Sequence, residues 1–237
     1  YPVVNLSMTL QTGISYILNE IDYYARENDV IIFSPEYHLF MRDYTDYTLL
    51  AELVTYDTEV LTIMNTDKTI IVNIASYAIP KCIRYSIENM LGLREANQFS
   101  ETHRVLADIS KHGDLENHLY EGQLSFSDSW SSDLEYDAGY PSIIFSKINC
   151  TAICCDSIGA NLLLFFPAVT DSFFRKTEIS TLANMIQSNI NIDCLASPEV
   201  SVYNDSMFYN TIYHLNAASA RIRTLQLYKL LRNNNII

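Results

Sequence analysis

Lysine and arginine are scarce: 15 against 28 Asp and Glu in 237 residues, a net charge of -13 at pH 7. A face that binds duplex nucleic acid displaces counterions with clustered Lys and Arg. Here the basic residues are scattered among acidic ones, which argues against nucleic acid and against an anionic membrane surface as partners. Neutral esters remain open as substrates. Long apolar runs are lacking too. The longest, Leu162 to Phe166, stops at Pro167, well short of the ~18 residues that a span requires, so no membrane span is expected. Cysteine is sparse and odd in number, at five, which excludes a fully paired disulfide framework. Cys150, Cys154 and Cys155 have a spacing that suits a metal. Their flanks, Ile148 and Ile153, read as helix core, and no second Cys/His cluster lies near, so buried free thiols are expected. Neither metal nor cofactor is expected. Repeats and low-complexity tracts are absent.

What is present is an ordinary globular mixture, with 49% hydrophobic and 18% charged residues. That is enough to build a core without staples, and residues 1–237 read as a single domain. Pro2 to Leu6 reads as a short strand, Gly13 to Arg26 as an amphipathic helix, and Val30 to Phe33 as a strand buried on both faces. Asp46 to Leu91 is helical, with a break or kink expected at Pro80. Residues 92–142 are polar and irregular, and their length suits an inserted cap or lid. Order returns with a helix over Ile143 to Cys155, a strand over Leu162 to Phe166, a helix over Thr177 to Ser188 and a final strand over Ile192 to Leu195. Ala217 to Arg232 closes the chain as an amphipathic helix, with Ile222, Leu225, Leu227, Leu230 and Leu231 on its apolar side. Strands alternating with helices imply an α/β class with a mostly parallel open sheet. Ligands of such sheets sit beyond the carboxyl ends of the strands. Asn5 to Gly13, Ser34 to Tyr37 and Pro167 to Thr170 fall there.

His214 stands in a loop just before the last helix. Imidazole is the natural general base near neutral pH, and it needs a group to orient it; Asn210 and Asp205 are near in sequence. The same histidine would also serve as a surface or capping residue. Glu36 follows a strand directly, where a carboxylate points into the crevice or is simply solvated. His112, Asp114 and His118 have a spacing that holds a metal or that makes an N-cap beside a solvated histidine.

Val3 to Leu10, then an apolar helix, then Asp29 to Tyr37 resemble the second and third sequence blocks of SGNH (GDSL-type) hydrolase-like proteins. Tyr213-His214-Leu215-Asn216, with Arg223 and Thr224 after it, is similar to their final block. Lys111 to His118 and Leu162 to Pro167 resemble intermediate segments of a bacterial branch. The resemblance implies a three-layer α/β/α sandwich of the flavodoxin-like SGNH hydrolase type. It also implies serine esterase or acyl-transfer chemistry on a small-molecule or carbohydrate ester, in the periplasm, in the cell envelope or after secretion. His214 takes the place of the base, and Asn210 stands where an acid is expected. Leu10 falls near the oxyanion-binding Gly, whose part a backbone N–H can play, and Tyr37 near the oxyanion-binding Asn. The nucleophile block is expected before Tyr1; Ser7 belongs to the second block. A non-catalytic binding or scaffold protein of the same fold is the alternative that these departures allow.

Overall fold

The computed structural model describes residues 3–5, 10–56, 59–64, 68–91, 139–176 and 178–237. Of the expected cap over residues 92–142, residues 92–138 lie outside them, as do the cluster of His112, Asp114 and His118 and Ser7; residues 140–142 begin a helix. The chain divides into two compact units, Tyr1–Tyr23 with Tyr44–His118, and Tyr24–Asp43 with Leu119–Ile237.

The first unit is helical among its described residues. A 3-10 turn, Leu10–Thr12, leads into α1 (Ile14–Tyr24), followed by α2 (Tyr47–Tyr56), α3 (Glu59–Ile63) and α4 (Lys68–Met90). Asp46 starts α2 by accepting from the backbone N–H groups of Thr48 at 2.8 Å and Leu49 at 3.3 Å, donors that a first turn leaves without helical partners. Tyr16, Leu50, Leu53, Val60, Ile63 and Ile74 form its core. One expectation needs correction. Residues 3–5 form no strand, and Val3 and Val4 are 75% and 67% exposed; with no partner strand among the described residues their β-prone side chains gain nothing from extension. Of the break or kink expected at Pro80, the break is excluded, since helix α4 runs through it. A proline withholds one backbone bond, and a 23-residue helix keeps enough others on both sides.

The second unit carries the sheet. Strand β1 (Val30–Phe33) pairs in parallel with β2 (Asn161–Leu164), matching Val30 to Asn161 and Phe33 to Leu164. Helix α5 (Tyr140–Ile158) precedes β2. The short strand β3 (Val169–Thr170), α6 (Asp171–Lys176) and α7 (Ile179–Asn189) follow it, and then β4 (Asp193–Cys194). Strand β4 pairs in parallel with β2, so the order is β1-β2-β4 with β2 in the middle. Beyond the expected final strand lies β5 (Val202–Tyr203), parallel to β3. Helix α8 (Ala217–Asn233) ends the chain.

The central position of β2 explains its apolar run, since Leu162, Leu163 and Leu164 are all buried. Strand β1 lies at one end of the order among the described residues, and Val30, Ile31 and Ile32 are only half-buried. This corrects the expectation of a strand buried on both faces. On one face of the sheet Val30, Ile32, Leu163, Phe165 and Leu195 pack with Leu227, Leu230 and Leu231 of α8. Ile222 and Leu225, expected on the same apolar side, are instead 52% and 60% exposed. They lie about 120° or more around the helix from Leu227 and Leu231 and take no part in that cluster. Elsewhere Phe33 meets Phe40 edge-on at 6.4 Å, and Phe40 meets Phe145 of α5 at 6.4 Å.

Helix α5 buries Ile144, Phe145, Ile148, Thr151, Ala152 and Cys155 at three- and four-residue spacing. That stripe takes in Cys155 and leaves Cys150 and Cys154 exposed, which corrects the expectation that all three thiols are buried. Gly159 ends the helix at φ 76, a left-handed conformation that glycine adopts without strain. Its carbonyl accepts from Asn28 N–H at 2.9 Å, which holds the turn before β1 against the end of α5. Among the described residues no helix is long and apolar enough to cross a membrane.

Candidate functional site

The carboxyl ends of β1 and β2 are tied to each other and to the last helix by Arg223. Its guanidinium donates to the Phe166 carbonyl at 2.8 Å, to Ser201 Oγ at 3.2 Å and to Ser34 Oγ at 3.2 Å. It also lies 4.4 Å above the Phe165 ring, a cation–π contact. Ser201 Oγ donates to the same Phe166 carbonyl at 2.8 Å. Burial lowers the Arg223 pKa. A planar fork with several donors can join three oxygens on three segments. The sequence offered Arg223 as part of a motif but gave it no role, because these partners stand far away along the chain.

Ser34-Pro35-Glu36 leaves β1 and enters a 3-10 turn, Tyr37–Phe40. The half-buried Glu36 carboxyl makes no capping bond, and burial raises its pKa to about 7. At neutral pH such a carboxyl both accepts and donates a proton readily, as an acid–base group should. Because the folded chain holds this proton more tightly than the unfolded chain, the protonated form stabilises the fold. The contribution is complete below pH 4.5, the ordinary value, and is lost as pH rises through about 7. Glu36→Gln is therefore expected to flatten the fall of melting temperature between those pH values, read by thermal melts across the range. An unchanged slope would contradict the buried setting of Glu36. Glu20, buried in α1 beside Tyr16 and also raised to about 7 by burial, supplies a residual slope.

Tyr37 is fully buried and stacked on Phe166 at 5.8 Å. Its hydroxyl finds no hydrogen-bond partner among the described residues, and burial raises its pKa further from neutrality. Its side chain belongs to the core. Leu10 opens the 3-10 turn of the first unit, whereas His214, Asn210, Glu36 and Tyr37 belong to the second.

The loop from Phe208 to Asn216 is closed by an antiparallel bridge between Phe208 and Leu215 and by the Tyr209 N–H donating to the His214 carbonyl at 2.7 Å. Inside it Thr211 Oγ1 accepts from the N–H groups of Tyr213 at 3.3 Å and His214 at 3.1 Å, a local turn that threonine favours. Asn216 caps α8 by accepting from Ser219 N–H at 3.0 Å. The loop reaches the end of β3 and the turn after β1. The Ile212 carbonyl accepts from Thr170 N–H at 3.2 Å, and the Tyr213 hydroxyl lies 2.8 Å from His38 Nδ1.

The His214 imidazole is exposed, and its Nδ1–H donates to Asn210 Oδ1 at 2.8 Å. That bond puts the proton on Nδ1 and the basic lone pair on Nε2, the tautomer that a general base requires. Asp205, the other candidate orienter, instead accepts from Ser172 N–H at 3.2 Å, at the start of α6. Among the described residues no three His, Cys, Asp or Glu side chains gather as a metal site.

Comparison with known proteins returns nothing: no family model, curated protein or solved structure matches the chain. The chemistry therefore rests on the residues themselves: an oriented histidine, a carboxyl poised near neutrality, and a half-buried arginine that locks the strand exits together.

Proposed function

We propose that the second unit bears the site of an SGNH-like ester hydrolase or acyl-transfer enzyme, with His214 as general base. The observation that carries this reading is the 2.8 Å bond from His214 Nδ1–H to Asn210 Oδ1. It lies in a loop hydrogen-bonded to the last residue of β3 and to the turn after β1; open sheets bind ligands beyond the carboxyl ends of their strands. In this reading Nε2 takes the proton of a serine hydroxyl as it attacks the ester carbonyl, then returns it to the leaving alcohol. The architecture is then a three-layer sandwich, a reading supported by α8 packing on the sheet. The ester of an acylated carbohydrate at the cell envelope is the substrate class that the family resemblance favours.

One observation favours a second reading, a non-catalytic binding protein of the same fold. An amide at 210 orients the imidazole but carries no charge to stabilise the imidazolium. Asn210→Asp separates the two. The experiment compares p-nitrophenyl acetate hydrolysis by wild type and variant, using the full protein with any residues that precede Tyr1. The enzyme reading expects hydrolysis by wild type and a rise of roughly tenfold in the variant, about one pKa unit of added basicity. The gain is held to that size by the exposure of His214, which screens the new carboxylate. The binding reading expects hydrolysis from neither.

A further inference from the structure

The face of the loop opposite His214 is built from aromatic rings. Tyr213 is buried although its neighbour His214 is exposed, so the two side chains of one dipeptide leave the backbone in different directions. Around Tyr213 three rings from three segments meet. His38, from the turn after β1, stacks on Phe173 of α6 at 6.0 Å and 20°. Tyr213 stands edge-on to both, 5.5 Å from His38 and 6.0 Å from Phe173. Ring contacts of this kind are weakly directional and let a loop slide. A hydrogen bond is not: its strength falls steeply as distance and angle depart from ideal. The contact that fixes register here is the one between the Tyr213 hydroxyl and His38 Nδ1, at 2.8 Å.

We propose that Tyr213 and His38 are positioning residues for His214, their hydrogen bond holding the peptide that carries the imidazole in register with the exit of β1. The proposal rests on the reading of His214 as base. The loop is stiff within itself, through the Thr211 turn and the Tyr209 to His214 backbone bond, so a displacement at Tyr213 carries His214 with it. The bond from Thr170 to Ile212 anchors the loop at the end of β3, and the bond from Tyr213 to His38 anchors it at the turn after β1. With both in place the imidazole keeps the 2.8 Å bond to Asn210 that selects its tautomer. Burial lowers the His38 pKa to about 4, so His38 stays neutral and the polarity of the anchor does not reverse near neutral pH. Neither Tyr213 nor His38 needs to touch substrate for this role.

The test is ring nitrogen-15 NMR of His214 in the full protein, joined to p-nitrophenyl acetate kinetics. In wild type Nδ1 is expected to be the protonated nitrogen. Tyr213→Phe and His38→Phe remove the same bond from opposite ends while keeping a ring in place. Each is expected to shift His214 toward a mixture of tautomers and to lower kcat about 10- to 100-fold, the order of loss from small misplacements of catalytic groups. KM should stay within about twofold. The double variant should lose less than the product of the two single losses, because the two residues share a bond. Unchanged His214 resonances in both single variants would overturn the proposal, as would a lowered melting temperature alone, which a merely structural pair would show. If Tyr213→Phe does not fold, His38→Phe decides. If wild type hydrolyses no ester but the tautomer shifts in the variants, the positioning role stands and the esterase reading falls.

Discussion

His214→Ala is expected to lower ester hydrolysis by about 10²–10⁴-fold, the usual worth of general-base assistance, while the melting temperature hardly changes. The two halves of this prediction come from different parts of the geometry. The ring is exposed, so its removal opens no cavity, and surface substitutions of this kind usually stay within about 0.5 kcal/mol. The hydrogen bond lost with the ring goes to Asn210, itself half-buried, whose amide can turn to water. The loop keeps its backbone bond between Tyr209 and residue 214 and its Thr211 turn. Catalysis has no such reserve, because a neutral hydroxyl is a poor nucleophile without a base. Initial rates on p-nitrophenyl acetate and a thermal melt of the same preparation check both halves. Full activity in the variant would remove His214 from the mechanism and move attention to Glu36, the other group at a strand exit whose proton exchanges near neutrality.

Phe166→Ala is expected to have the largest effect on stability, a loss of about 3–5 kcal/mol. Phe166 is fully buried and its ring stacks on Tyr37 at 5.8 Å, so truncation leaves a void with little freedom to collapse. Its carbonyl is the shared acceptor of Ser201 and Arg223. A backbone shift into the void would therefore disturb the lock between the strand exits as well. A domain holds only about 5–15 kcal/mol in all, so the variant should unfold in far less denaturant, at roughly unchanged slope. A midpoint close to that of wild type would mean that the stack of Tyr37 on Phe166 is not part of the core. The contrast with His214→Ala is informative: one substitution should abolish chemistry and spare the fold, the other should do the reverse, although both residues belong to the same end of the sheet.

Much of the second unit was legible from local pattern. The apolar run at Leu162 to Phe166 marked a strand, Ile143 to Cys155 marked a helix, and the apolar spacing from Ala217 to Arg232 marked the last helix. Each of these follows from a run or a periodicity contained within a few residues. The pairing of His214 with Asn210 was also within reach, since it spans four residues and closes inside one loop. Where local pattern misled, the cause lay in neighbours that no window contains. Val3 and Val4 favour a strand but have no strand to pair with among the described residues. Val30 to Ile32 favour burial but stand at the end of the sheet order. Ile222 and Leu225 are apolar but lie around the helix from the face that packs.

The sequence by itself determined that this chain is acidic, free of a long apolar span, built from helices alternating with short parallel strands, and provided with one histidine in a loop before its last helix. These are matters of composition and of spacing along the backbone. Only the tertiary structure decided which residues stand around that histidine and what state they hold. Tyr213 meets His38 across 175 residues, and Arg223 meets Phe166 across 57 and Ser34 across 189. The neutral state of His38 and the raised pKa of Glu36 arise from desolvation, which is a sum over every group packed around them. Contacts of that range and sums of that kind exist only once the chain has folded.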